Sequence, residues 1–200
     1  MNEHDSIERK LTGSFFKVAS IMAAVAILGL IALIVISNRY SYALKNFGFA
    51  QGDIGKAMFE FADSRSSLRA AIGYDEPDAI TAVVEQHSQN RVLFEQYFAE
   101  IENTIVSEDG RKTYDEISSE LDTYWKLDQQ IMDLGATTDR ELCKQAQDIA
   151  LADLAPAYNS IYTKLESLLN VKVTEGNRIS RSLTATALIL AIAIVAVIVI

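Results

Sequence analysis

Residues that carry chemistry are scarce in this chain. A single cysteine, Cys143, excludes an internal disulfide and any multi-cysteine metal site. It falls within a helical pattern, which suits an inert thiol. The two histidines, His4 and His87, are far apart in sequence, so a catalytic or metal cluster has little to be built from. Only two prolines, Pro77 and Pro156, and nine glycines interrupt the chain, which leaves room for long helices. No Gly-rich phosphate loop, nucleophile or carboxylate pair has a context that supports catalysis. The expectation is a protein without catalytic residues, metal or cofactor.

Positive charge is also in deficit. The net charge is −9. Glu3, Asp5 and Glu8 balance Arg9, Lys10 and Lys17, and the apolar runs described next carry no charge, so the whole imbalance falls in the middle of the chain. Nucleic acid is a poor partner for such a surface. Solubility beside an anionic membrane is a sufficient reason for it.

Apolar residues are plentiful and concentrated. Val18 to Asn38 gives 21 residues without a charge, fenced by Lys17 and Arg39, and Ser182 to Ile200 gives 19 more after Arg181. A helix needs about 20 apolar residues to cross a bilayer, so each run reads as a spanning helix. The first run is longer than the roughly 7–15 apolar residues of a signal peptide. The nearest small-x-small site, Ser41-Tyr42-Ala43, follows Arg39 inside a continuing helical pattern. An uncleaved anchor is therefore expected. The second run reaches Ile200 with no charged or aromatic flank, which leads us to expect a cytoplasmic output portion beyond it.

Apolar spacing gives the fold between the runs. Leu44, Phe47, Gln51, Ile54, Met58, Phe61, Arg65, Leu68 and Ile72 alternate steps of three and four, a heptad seam. From Leu44 to Ile72 such a helix rises roughly 43 Å. Gly73 to Pro77 breaks it. The next seam runs Ile80, Val84, His87, Arg91, Phe94, Phe98, Ile101, Ile105 and stops at Ser107 to Gly110. A third carries Tyr114, Ile117, Leu121, Tyr124, Leu127, Ile131 and Leu134. Gly135 to Asp139 ends it, with Thr138 or Asp139 as the next N-cap. The fourth runs through Leu142, Ala146 and Ile149, is interrupted near Pro156, and resumes at Tyr158, Ile161, Leu165 and Leu168.

These patterns predict an all-α protein in which two transmembrane helices flank an up-down-up-down extracytoplasmic four-helix bundle. The expected organisation is a cytoplasmic tail over 1–17, a first span over 18–38, the bundle over 39–181 and a second span over 182–200. Arg9, Lys10 and Lys17 before the first span, against Arg39 and Lys45 after it, favour the N-terminus inside.

This layout resembles the sensory half of methyl-accepting chemotaxis proteins. Ser64-Arg65-Ser66-Ser67-Leu68-Arg69-Ala70-Ala71-Ile72 is similar to that family's arginine-bearing segment. Ala136 to Glu141, followed by Leu154-Ala155-Pro156, is similar to its third connection and the start of its last long helix. The resemblance implies a bacterial inner-membrane receptor that dimerises through its first helix and binds small molecules outside. It then shifts its last helix, and a cytoplasmic module controls a histidine kinase through an adaptor. A ligand-loaded binding protein is an alternative stimulus. Sensory halves of sensor histidine kinases and cyclic-dinucleotide enzymes resemble the same layout, and a ligand-free membrane scaffold or adaptor is a reading of another class.

Arg65 and Arg69, four apart on one helix face, are the candidate ligand-binding residues. In related receptors arginines here reach anionic ligands, and guanidinium forks onto a carboxylate bidentately. The competing reading pairs Arg65 with a carboxylate inside the bundle. His87 and Arg91 occupy successive seam positions, where they either line a pocket or set register. Tyr114, Tyr124 and Trp125 read as packing. A parallel two-fold dimer through the first and fourth helices is expected, with Phe47, Phe61 and Ile72 supplying bulky contacts.

Overall fold

A computed structural model describes residues 3–199 and the surroundings of side chains 9–197. Met1, Asn2 and Ile200, the outermost residues of the expected tail and second span, lie outside the described residues. Helix α1 spans Glu3–Ala43 and leads through a π-helical turn, Leu44–Phe49, into α2, Ala50–Ala71. Helices α3, Pro77–Glu102, and α4, Glu108–Gly135, follow. Helix α5, Arg140–Ile149, continues through a second π turn, Ala150–Leu154, into α6, Ala155–Val199. No strand occurs among the described residues.

The helix ends follow local chemistry. Pro77 opens α3, where its missing N–H costs nothing. The Ser107 hydroxyl caps α4 by accepting from the Gly110 N–H at 3.1 Å. Asp139 caps α5, its carboxylate accepting from the Glu141 and Leu142 N–H groups at 2.9 and 3.3 Å. Gly73 ends α2 without a left-handed backbone, since no described residue has positive φ. It is glycine because a Cβ would come within 2.9 Å of the Arg69 carbonyl oxygen.

The chain divides into two units, Met1–Leu44 with Asn177–Ile200, and Lys45–Gly176. In the second unit the contacts fix an antiparallel register between neighbours. Phe61 and Ser64 of α2 meet Phe94 and His87 of α3. Phe98 of α3 stacks on Tyr114 of α4 at 4.5 Å. The Glu120 carboxylate of α4 accepts from Ser160 and Lys164 of α6. Gln147 and Tyr158 return to Ile72 and Phe61. Helices α2 and α4 run the same way, since Phe61 meets Tyr124 and Ile72 meets Gly135.

Phe61 is the centre of the core. Fully buried, it touches Phe94 at 5.1 Å, Tyr124 at 4.9 Å and Tyr158 at 4.8 Å, so α3, α4 and α6 all pack against one ring of α2. Aromatic pairs at such distances add about 0.5–1.5 kcal/mol each beyond burial. Phe47 and Ile72 are buried as well, at 4 % and 2 % exposure. The expectation that these three rings and side chains face a partner is therefore corrected: they are spent inside their own bundle. Leu142, expected in the core, is outside it at 36 % exposure, and Cys143 takes its place.

In the other unit the described parts of α1 and α6 are apolar and outward-facing. Leu33 is 67 % exposed and Ile189 66 %. Their most apolar stretches reach mean hydropathies of 2.9 and 2.0, long and apolar enough to cross a membrane. Ala32 is the one buried residue of this unit among those described.

Candidate functional site

The bundle has a concave face where α2 meets the second π turn. Regular heptad spacing keeps Leu68 and Ile72 inward and sets Arg65 half-buried and Arg69 outward at the rim. Opposite them, Pro156 has no N–H to give to the preceding turn. The chain answers with the π turn at Ala150–Leu154, which takes up one extra residue and turns Leu154 inward and Leu151 outward. The result is a cleft of about 420 Å³ lined by both arginines, Leu68, Gln147, Leu151 and Leu154. Gln147 closes one end by donating to the Ile72 carbonyl at 2.8 Å. A shallower depression of about 490 Å³ lies on the other flank of the same two arginines, with Ser66 and Tyr158 in its wall.

Arg65 is held without an acid. Its guanidinium lies over the Tyr158 ring at 4.2 Å, a cation–π contact. Among the described residues neither Arg65 nor Arg69 has a carboxylate partner. The competing reading of Arg65, an ion pair within the bundle, is thus replaced by stacking. Burial pushes the Tyr158 hydroxyl above its ordinary range, against the opposing charge of Arg65. Two cations at helical spacing, aromatic on one side and apolar below, suit a small organic anion with an apolar portion.

The other sequence candidates separate from this cleft. Arg91 lies over the Trp125 ring at 4.8 Å and pairs with Glu95 at 2.9 Å. His87 is buried and bonded to Asp128 of α4 at 2.8 Å. Asp128 and Lys172 were not among the sequence candidates. Lys172 is 4 % exposed; its ammonium donates to the carbonyls of Asn46, at 3.0 Å, and Thr104. Desolvation alone lowers its pKa to about 8. Cys143 is buried, its thiol turned to the Thr137 carbonyl at 3.0 Å. No group of three or more His, Cys, Asp or Glu side chains is placed to hold a metal among the described residues.

No curated protein and no solved structure matches the chain. Residues 4–187, nearly the whole chain, match a protein family described as a four helix bundle sensory module for signal transduction. The match covers the two-helix hairpins, the arginine-bearing end of α2 and the Pro156 region together. The chain belongs to the four-helix-bundle sensory-module family of methyl-accepting chemotaxis proteins.

Proposed function

We propose that this chain is the sensory region of a transmembrane chemoreceptor that binds a small organic anion at Arg65 and Arg69. The observation that carries the reading is the pair of arginines lining one cleft with no carboxylate partner among the described residues. The ligand's carboxylate takes the forks of both guanidinium groups, and its apolar part meets Leu68, Leu151 and Leu154. The opposite wall belongs to the π turn that leads into α6, and α6 continues as one helix to Val199 through the second apolar run. A ligand that favours one packing of α6 against α2 biases the position of that helix. A shift of about 1–2 Å is the usual scale. The bundle lies outside the cytoplasm in this reading, and the response passes to a kinase-control module inside.

The receptor acts as a parallel homodimer, through a face different from the seam first expected. Gly52, Gly55, Phe59, Ala62, Ser66 and Arg69 continue the three-four rhythm on the outer side of α2, with Phe59 62 % exposed. Beyond the backbone of its own helix, no described atom lies within 4 Å of a Cβ built on Gly52 or Gly55, so a second helix can approach closely there.

The ligand reading is tested by screening amino and organic acids against the full chain in lipid nanodiscs, with thermal stabilisation as the readout. At least one acid should raise the melting temperature of the wild type and leave Arg65→Ala/Arg69→Ala unmoved. A screen in which no acid discriminates the two removes the arginines from the binding role.

A further inference from the structure

A second polar feature sits away from the arginine cleft, inside the bundle. His87 of α3 is 6 % exposed and Asp128 of α4 only 1 %. The His87 Nε2 lies 2.8 Å from Asp128 Oδ2, and its Nδ1 lies 2.8 Å from the Ser64 carbonyl oxygen of α2. One imidazole thus touches two other helices. A carbonyl only accepts, so Nδ1 carries a hydrogen. A carboxylate oxygen at the other nitrogen demands one more proton between Nε2 and Oδ2. Without that proton two lone pairs face each other where water does not reach, an expensive arrangement.

We propose that the His87–Asp128 pair is a proton-binding site through which the sensory domain responds to the pH of its surroundings, the bound proton tying α2, α3 and α4 together. Burial pulls the imidazole pKa down, but the Asp128 hydrogen bond and charge and the Ser64 carbonyl outweigh it, and the net direction is upward from 6.5. The tie is therefore complete below that value and is lost as pH rises through the raised one. The response therefore lies above pH 6.5.

The groups around the pair permit a second arrangement. From α2 come the Ser67 hydroxyl, 3.4 Å from Nδ1, and the Arg65 charge, which acts on Tyr124. From α3 come Asn90 and Arg91; the Arg91 charge opposes protonation but is drawn to Glu95 and Trp125. From α4 comes Tyr124, one helical turn from Asp128, with a hydroxyl that burial holds far above its ordinary range and so neutral. From α6, Tyr158 acts on the same hydroxyl. Asn90 Nδ2, the Tyr124 hydroxyl and Asp128 Oδ1 are buried without a hydrogen-bond partner. Two spare donors and a spare acceptor let the layer re-pair when the proton leaves.

The test titrates the full chain in lipid nanodiscs from about pH 5 to about 9, which spans the usual histidine range of about pH 5–8 and extends above it. Histidine NMR reports the imidazole, and emission of Trp125, the single tryptophan, reports the packing next to it. The signal that disappears in His87→Gln should titrate above 6.5. Asp128→Asn should lower its midpoint by about 1–3 units, the effect of removing an adjacent opposite charge. Trp125 emission should change at the same midpoint in the wild type and not in His87→Gln. A midpoint at or below 6.5, or one unmoved by Asp128→Asn, overturns the proposal. So does a Trp125 transition that is absent from the wild type or survives in His87→Gln. Should His87→Gln fail to fold, the Asp128→Asn midpoint alone decides.

Discussion

The Arg65 guanidinium lies over the Tyr158 ring, its carbon 4.2 Å from the ring centre. That contact joins α2 to α6, and the same guanidinium acts on the Tyr158 hydroxyl by its charge and a hydrogen bond. Arg65→Ala should lower the unfolding free energy by about 0.5–2 kcal/mol, the range of such contacts. Arg65→Lys should keep the charge and lose part of the stack. Urea unfolding followed by Trp125 emission gives both numbers, and an Arg65→Ala variant as stable as the wild type denies the stack a structural role.

Gly135 marks a close approach between helices. A Cβ built there falls 2.3 Å from the Ala146 Cβ and 2.8 Å from Ile72 Cγ2. Gly135→Ala should destabilise the bundle by about 1–3 kcal/mol, as overpacking does, despite alanine's better helix propensity. Chemical denaturation checks it, and a neutral or stabilising result means α2, α4 and α5 part more easily than their packing implies.

Lys172 predicts an alkaline gain in stability. Its pKa is about 8 in the folded bundle against 10.5 for a free lysine. Between those values the unfolded chain holds a proton that the folded chain has released, so stability rises with pH. The rise amounts to about 3 kcal/mol at most. Because other groups titrate there too, the quantity to measure is the difference between wild type and Lys172→Met across that range. A difference that does not change with pH shows that the ammonium is solvated.

The proposed dimer face predicts a phase. Single cysteines at Gly52, Gly55, Phe59 and Ser66, in a Cys143→Ser background, should crosslink between protomers in membranes. Cysteines at Ile54 and Phe61, both fully buried in their own bundle, should not. Crosslinking with the opposite phase, or with none, removes α2 from the interface.

The heptad rhythm made the helices, their order and the arginine face legible, because burial along a bundle helix repeats nearly every seven residues. The misses came from reading hydrophobicity where rhythm was the better guide. On α4 the buried series runs Tyr114, Ile117, Leu121, Tyr124, Asp128, Ile131, Gly135, in unbroken steps of three and four. Leu127 and Leu134 looked apolar enough to stand in for Asp128 and Gly135, and so the buried carboxylate went unseen. Lys172 follows Leu168 by the same step of four, at a place where a charge argued against burial. The π turn also left a trace. Ala146, Ala150, Leu154 and Tyr158 advance by four three times running, a drift that a regular helix cannot keep inward without an extra residue. Pro156 signalled the interruption and this drift gives its form. The aromatic partner of Arg65 had no sequence signal, since it depends on the register of α2 against α6.

The central claim is that Arg65 and Arg69 together hold an anionic ligand. Calorimetric titration of a screened acid into the full chain in nanodiscs, wild type against Arg65→Ala/Arg69→Ala, tests it most directly. Loss of desolvated charged contacts costs about 2–5 kcal/mol, so the double variant should bind at least about 30-fold more weakly. Equal affinity in the two proteins would contradict the account and move the binding site elsewhere.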